Sequence, residues 1–582
     1  MAGLPPMSKM IPVPGKREDF RISLSVKQCY RCKTSRSHLV LGGSLVDRVS
    51  EMLRVDLSSI STPCTCSWAL GDAIWRRHLV RDVMLGTRPV SPEPDLLREF
   101  KINMRAHYEK MLQTKALRYI PVERIPFRYT GAKKFHYLRC LADYLTNGFG
   151  KVYFAGFAKW GEVLLKLRAR CILMQVWRSR GVNTPTTVIN PKTGQGEVVA
   201  PFYSGEPLRA PILLELSARI PMEAAQHKLL NRDGSRMIAA GRSLAERPAD
   251  ISAMCPGRKT KKLSIDMSNF DGSQFVYAEI ERDVCTEYLG KMRMPTKVRK
   301  DVTRVLKAQN YYTIKAPQLR AEVYGNRASG TAGTAVANKN VMIVALKTAI
   351  PELWRDGEDE CSLYSDGDDT IIAYPPHLEP LFQVWIEHLT KMGFTCKVEG
   401  VAQNLEEVVF CRASPVEVLD GVYVLTKNPA DAFRTQAVIR RHFKGPHLRA
   451  YLGTLREGLC NMWAGIPVNS AIGKMFPADR GTNGTSEWLL ANSGVEYSMT
   501  HMTPDVRYEI TDTGRRSYSN VFGISWEEQL ELEKLFPMIG EEVASLLDTF
   551  ELEPPEYQRA THMAAEDLEL ATSMAMQQPP DG

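Results

Sequence analysis

Two short stretches concentrate carboxylates where apolar segments end. In "CSLYSDGDDTIIAY", Asp366, Asp368 and Asp369 crowd around Gly367, between flanks that are aliphatic, aromatic and β-branched. Such flanks have strand character, and Asp-Gly between them signals a hairpin. Carboxylates beside a buried sheet repel one another and lose hydration, a heavy cost unless a cation neutralises them. A solvated turn would favour the same residues for backbone reasons alone. The second stretch is "LSIDMSNFDGSQF". Leu263 to Met267 alternates as a strand, with Asp266 near its C-terminal end. Asp271 follows just before a helical run in which Val276, Ile280 and Val284 recur at i, i+4 and i+8 and Gly290 closes the helix. A carboxylate at a strand end and another in the following turn can approach one cleft, although for Asp271 taken alone capping of the helix is the favoured reading.

The elements that would position these groups lie around them. In "ASGTAGTAVANKNVMIVALK", Ser329, Gly330 and Thr331 make a small hydroxyl-rich loop. The helix after it carries Thr334 and Asn338 on one face, a polar pair that needs partners if buried. Leu378, Leu381, Phe382, Trp385, Leu389 and Met392 form an amphipathic stripe that reads as core. "GFTCKVE" and "EEVVFCRASPV" are two further strand-like pieces. With 582 residues, 44% of them hydrophobic, the chain can bury a large core in several subdomains. A net charge of +9 suits a polyanionic partner. Twelve cysteines scattered from Cys29 to Cys460, without a signal-peptide pattern, suggest a reducing, cytosolic setting. No run of about 18 apolar residues encodes a membrane span.

Taken in order, Asp-x4-Asp, Ser-Gly-Thr with Asn, Gly-Asp-Asp, "GFTCK" and "FCR" resemble the palm of RNA-dependent RNA polymerases of positive-strand RNA viruses, the tombusvirus-like group above all. "GFTCKVEGVAQNLEEVVFCRASPV" is similar to that group's motifs D and E. "WAGIPVNSAI" and "FGISWEEQLELE" are similar to its C-terminal region, and "YTGAKKFHY" to the start of its fingers. The resemblance runs from about residue 120 to 540. It implies an α+β right-hand polymerase with fingers, palm and thumb, its antiparallel palm sheet flanked by helices. The expected division is an N-terminal extension over 1–105, a candidate fingers–thumb bridge, then fingers over 106–262 and palm over 263–415 with a fingers insertion at 291–328. The thumb is expected over 416–548 and a mobile tail over 549–582. Two features depart from the group. Thr331 stands where its members have an acidic residue, and their membrane-anchoring N-terminal region has no counterpart that we find here.

The reaction implied is attack of a 3′-hydroxyl on the α-phosphorus of a nucleoside triphosphate, assisted by two Mg²⁺ or Mn²⁺ ions. Asp266 and Asp368 would be the principal metal ligands, supported by Asp369, while Asp366 is a turn residue outside the shared pattern. Asp271 and Asn338, helped by Ser329, Gly330 and Thr334, would bind the nucleotide and read its 2′-hydroxyl. In "FAKWGEVLLKLRARCI", Lys159, Lys166, Arg168 and Arg170 resemble the basic motif F that grips the triphosphate, and a solvated basic face explains them less well. Lys397 takes the place of the motif D lysine that protonates the leaving pyrophosphate, and a solvent-facing strand lysine is the alternative. Cys29, Cys32, Cys64 and Cys66 are a candidate zinc site, with four unrelated cysteines as the simpler reading.

The function implied is template-directed RNA synthesis in viral genome replication and transcription. The alternatives are a non-catalytic RNA-binding scaffold with a polymerase-like fold and a reverse transcriptase. The latter should carry a bulky aromatic residue near the position of Asp271. Expected partners are RNA template, nascent RNA and nucleoside triphosphates, with a separate membrane-anchoring viral or host replication protein as a candidate. The expected location is the host cytoplasm, at membrane-associated complexes reached through partners.

Overall fold

In the computed structural model the described residues are 210–316, 331–354, 360–436, 445–478 and 508–551, together with 43–55, 92–113, 117–129, 131–147, Arg327 and the short strands 22–24, 37–40, 59–61, 153–160, 167–174, 186–189, 196–199 and 319–324. At the centre is a four-stranded antiparallel sheet. It is built from β1 (Lys261–Met267), β2 (Ser362–Ser365), β3 (Asp369–Tyr374) and β4 (Cys396–Ala402) in the spatial order β2-β3-β1-β4. The alternation expected around both carboxylate stretches is therefore strand alternation. Side chains of period two send Ile372 and Tyr374 into one apolar core and Ile371 and Ala373 into a second. The sheet separates the two cores and feeds both.

The first core lies against four helices, α1 (Pro94–Gln113), α2 (Ala210–Gln226), α3 (Phe275–Tyr288) and α4 (Thr334–Ala349). Phe100, Met104 and Tyr108 of α1 pack there with Val284 of α3 and Val341, Ile343 and Leu346 of α4. Helix α4 is buried on every side along most of its length, as an apolar helix at a core's centre must be. The second core collects Tyr364, Phe410, Val416, Leu452, Trp463 and Phe536. It is enclosed by the hairpin Ala413–Leu419/Val422–Lys427 and the helices Gly445–Met462 and Trp526–Glu551, the last running past the expected end at Asp548. A further five-stranded antiparallel sheet joins Ile22–Leu24, Leu319–Tyr324, Tyr311–Ala316, Leu167–Met174 and Tyr153–Trp160 in that order. The stripe from Leu378 to Met392 is core as expected, with Leu378, Trp385, Leu389 and Met392 buried.

Some of the polar groups inside the first core are paired with one another. Asn340, fully buried on α4, accepts through Oδ1 from Gln226 Nε2 at 2.7 Å and faces His107 Nε2 at 2.9 Å. An amide oxygen only accepts, so His107 carries its proton on Nε2 and is the donor. Burial, then the charge of nearby Lys347, lower the His107 pKa to about 3. The folded protein thus keeps this ring neutral while the unfolded chain protonates it below its ordinary value. Acidification from about pH 6.5 to pH 5 should therefore destabilise the fold through this residue, with a slope rising toward about 1.4 kcal/mol per pH unit at the lower end. We expect His107→Gln, which preserves a donor toward Asn340, to flatten the pH dependence of the unfolding free energy in that range; denaturant titrations at several pH values measure it.

Candidate active site

The turn between β2 and β3 is held from both sides. Asp366 N donates to Asp369 O at 3.0 Å, closing it, and Gly367 supplies the left-handed φ of +94° that its backbone requires. Ser365 is fixed by its own N–H on Met237 O and by Ala239 N on its carbonyl, both at 3.0 Å, and Met267 N reaches Asp368 O at 3.2 Å. The register places Asp369 directly opposite Asp266 on β1, and Lys397 of β4 opposite Asp266 on its other side. Residues directly opposite in antiparallel strands share a face with Cβ atoms about 5 Å apart, so two like charges meet across one strand pair. Asp266, Asp368 and Asp369 are all partly exposed there, at the end of the face that elsewhere feeds the second core.

Asp366 departs from the expected plain turn residue. Its carboxylate takes Arg247 Nη2 at 3.0 Å and Lys339 Nζ at 3.5 Å, and both cations are 7% exposed. Arg247 also lies over the Phe410 ring and 3.7 Å from Cys411 Sγ. Burial, followed by the carboxylates of Asp369 and Asp366, pushes the Cys411 thiol up, so it stays protonated beside the turn. One aspartate of the three is thus neutralised by the protein itself, and α4 is tied to the turn through Lys339.

Asp271 is not a helix cap. It sits in the short turn Phe270–Ser273 before α3, and its Oδ1 accepts from Asn338 Nδ2 at 2.7 Å. Asn338 and Thr334 lie one turn apart on α4, both partly exposed, as the spacing requires. Thr331, the residue that departs from the related pattern, is buried with its Oγ1 2.8 Å from Thr334 Oγ1. Gly333 precedes α4 where a Cβ would stand 2.5 Å from Glu215 Oε1 and 2.7 Å from Arg219 Nε, so nothing larger fits without displacement. Ser329 and Gly330 lie outside the described residues.

The expected basic and cysteine residues divide similarly. Lys159 and Arg168 are paired in register on the strands Tyr153–Trp160 and Leu167–Met174, with Arg170 further along the second. Their side chains, and Lys166 altogether, are outside the described residues, as are Cys29, Cys32, Cys64 and Cys66. Lys397 shares the carboxylate row, but its side chain is 62% exposed and its Nζ is 3.2 Å from Glu399 Oε1.

Residues 262–539, which include the whole four-stranded sheet apart from its first residue, match the family described as viral RNA-dependent RNA polymerase. This segment is similar to that polymerase family. Among individual relatives, the RNA-directed RNA polymerase of Tomato bushy stunt virus (strain Cherry) is 28% identical over 221 residues, 36% of this chain and 25% of its own. That of Pothos latent virus is 27% identical over 221 residues, 37% of this chain and 28% of its own. A provisionally named RNA-directed RNA polymerase of Barley yellow dwarf virus (isolate PAV) is 23% identical over 300 residues. That alignment covers 51% of this chain, and the chain spans about a third of the relative's length.

Polymerases of this kind need divalent ions, and the donor set suits them. Hard cations take carboxylate oxygens, and Mg²⁺ is commonly held by one or two carboxylates while substrate phosphates and water complete its shell. Asp266 opposite Asp369, with Asp368 in the adjoining turn, supplies oxygens of that type. Among the described residues no three His, Cys, Asp or Glu side chains already converge as a closed cage. The side chains that reading the sequence alone misses are Arg247 and Lys339. Neither has a local pattern, and both become visible only once the turn closes on them. Asp366→Ala would leave these two nearly buried cations without their anion. We expect it to lower the unfolding free energy by about 2–3 kcal/mol, and Asp366→Asn, which keeps an acceptor for Arg247, by less. Equilibrium denaturation of the three proteins decides the order.

Proposed function

We propose that this chain catalyses template-directed RNA synthesis in the replication and transcription of a viral genome. The observation that carries the reading is the cross-strand pair Asp266 and Asp369 beside the Asp368 turn, with the hydrogen-bonded Asp271–Asn338 pair on adjoining elements. In this reading residues 106–262 are the fingers, 263–415 the palm with a fingers insertion at 291–328, and 416–548 the thumb of a right-hand polymerase. Residues 1–105 bridge fingers and thumb, and 549–582 form a tail.

Asp266, Asp368 and Asp369 would hold two Mg²⁺ or Mn²⁺ ions, which would supply activation of the attacking 3′-oxygen and charge stabilisation on the leaving group. The protein's own part is positional. The closed turn sets Asp368 and Asp369 against β1, and Asp366 carries its own cations so that it does not compete for the metals. Asp271 and Asn338 read the 2′-hydroxyl, which both donates and accepts. Ser329, Gly330 and Thr334 shape the pocket at the head of α4. Lys159, Lys166, Arg168 and Arg170 grip the triphosphate from the fingers. Lys397, at the register position beside Asp266, delivers a proton to the departing pyrophosphate after leaving Glu399. Partners are the RNA template, the nascent strand and nucleoside triphosphates. Among the described residues no helix is long and apolar enough to cross a membrane. In this reading a separate anchoring protein recruits the chain to membrane-associated complexes in the host cytoplasm.

Asp368→Asn should abolish incorporation of labelled ribonucleotides on a defined RNA template while leaving the thermal midpoint nearly unchanged, because the charge serves metal rather than packing. Retained activity at ordinary Mg²⁺ concentration would overturn the assignment. RNA binding by the wild type should weaken steeply between about 50 and 200 mM salt, as counterion release from a basic template channel demands. A flat dependence would contradict such a channel.

A further inference from the structure

The Asp271–Asn338 pair is the outer end of a longer chain of hydrogen bonds. Asn338 Oδ1 accepts from Gln274 Nε2 at 2.7 Å, and Gln274 Oε1 accepts from Arg327 Nε at 3.1 Å. Arg327 Nη2 reaches Glu281 Oε2 at 3.4 Å. Glu281 is gripped by Arg219 through two bonds of 2.6 and 3.1 Å and takes the Tyr108 hydroxyl at 2.5 Å. Gln274, Glu281, Arg219 and Arg327 are each 1% exposed or less.

The direction of this chain is imposed from its two ends, by a donor-only guanidinium at Arg327 and an acceptor-only carboxylate at Asp271. A carboxamide can donate or accept at either end, so Gln274 and Asn338 could each turn over within the same space. A guanidinium can only donate. Arg327 therefore forces the Gln274 oxygen toward itself and the Gln274 amide nitrogen toward Asn338. That in turn fixes the Asn338 oxygen inward and its nitrogen toward Asp271. With the chain reversed, Asn338 would offer an oxygen to the Asp271 carboxylate, and the two would repel. Arg327 is held from behind by Glu281, whose carboxyl burial alone would push up; Arg219 and Arg327 more than offset that and keep it ionised.

We propose that Arg327 and Gln274 are positioning residues for sugar selection. Neither touches the nucleotide; together they set the amide orientation with which Asn338, and through it Asp271, meets the ribose. The inference rests on the polymerase reading above and assigns to its nucleotide site two residues that lie behind it.

The test compares specificity constants for ribo- and deoxyribonucleotide incorporation on one RNA template in the full-length wild type and three variants. Arg327→Gln retains hydrogen bonding but removes the donor-only end, leaving Asp271 alone to orient the chain; Arg327→Lys retains a donor-only cation. Gln274→Met removes the relay at similar volume. We expect the ribose preference to fall about tenfold in Arg327→Gln and Gln274→Met, mainly through loss of ribonucleotide incorporation, and to survive in Arg327→Lys. A packing role alone would lower both specificity constants together and leave their ratio unchanged. Should Gln274→Met fail to fold, the two Arg327 variants carry the comparison. An active wild type with an unchanged ratio in Arg327→Gln would overturn this inference and leave the polymerase reading standing. A wild type that incorporates no nucleotide would overturn that reading and the inference with it.

Discussion

A carboxylate without solvent, Glu281, is the constraint around which the helical half of this molecule is arranged. Its charge persists in the core only because Arg219 and Arg327 approach it together and Tyr108 donates to it. Burial keeps that phenol protonated and therefore a donor. Those partners come from α1, from α2 and from the segment ahead of α4, while Glu281 itself is on α3. Four elements are thereby brought to one point by charge, and apolar packing fills the space around it. Displacing any one of them would strand an ion in the interior, so their mutual placement is discrete rather than adjustable. The same point limits the residue at Gly333, where the Arg219 side chain and Glu215 leave no room for a Cβ.

The second organising feature is electrostatic asymmetry within one turn. Three aspartates lie within four residues, yet they have different surroundings. Asp366 is answered by Arg247 and Lys339 from the protein, whereas Asp369 stands opposite Asp266 across the sheet and Asp368 lies in the adjoining turn. The turn is thus tied to the protein through Asp366, the aspartate outside the pattern shared with the related polymerases.

Much of this was legible in the residues. The alternation of Leu263–Met267 and the Asp-Gly turn between β-rich flanks correspond to paired strands, and even the proximity of the two carboxylate stretches follows from their places at strand ends. The i, i+4 spacing of Thr334 and Asn338 correctly puts them on one face. The choice left open for Asp271, helix cap or cleft residue, depends on where Asn338 arrives from 67 positions away, which no local pattern encodes. Arg219, Glu281 and Arg327 are likewise ordinary charged residues in sequence. Their pairing is a product of tertiary packing, and a buried ion triad has no periodicity to betray it. The pairing of Lys397 with Glu399 lies beside a register shift in β4 between Val398 and Gly400, which simple strand alternation does not encode.

Strand β3 contributes successive side chains to opposite cores, Ile371 and Ala373 to one and Ile372 and Tyr374 to the other. Neither core is complete without it, and it has strand neighbours on both flanks. The two halves of the described structure are consequently joined in one cooperative unit rather than two. Opening either core would expose the backbone of β3, so its amides should be among the last to exchange with solvent. The acidic turn is thus attached to a central strand that both cores share.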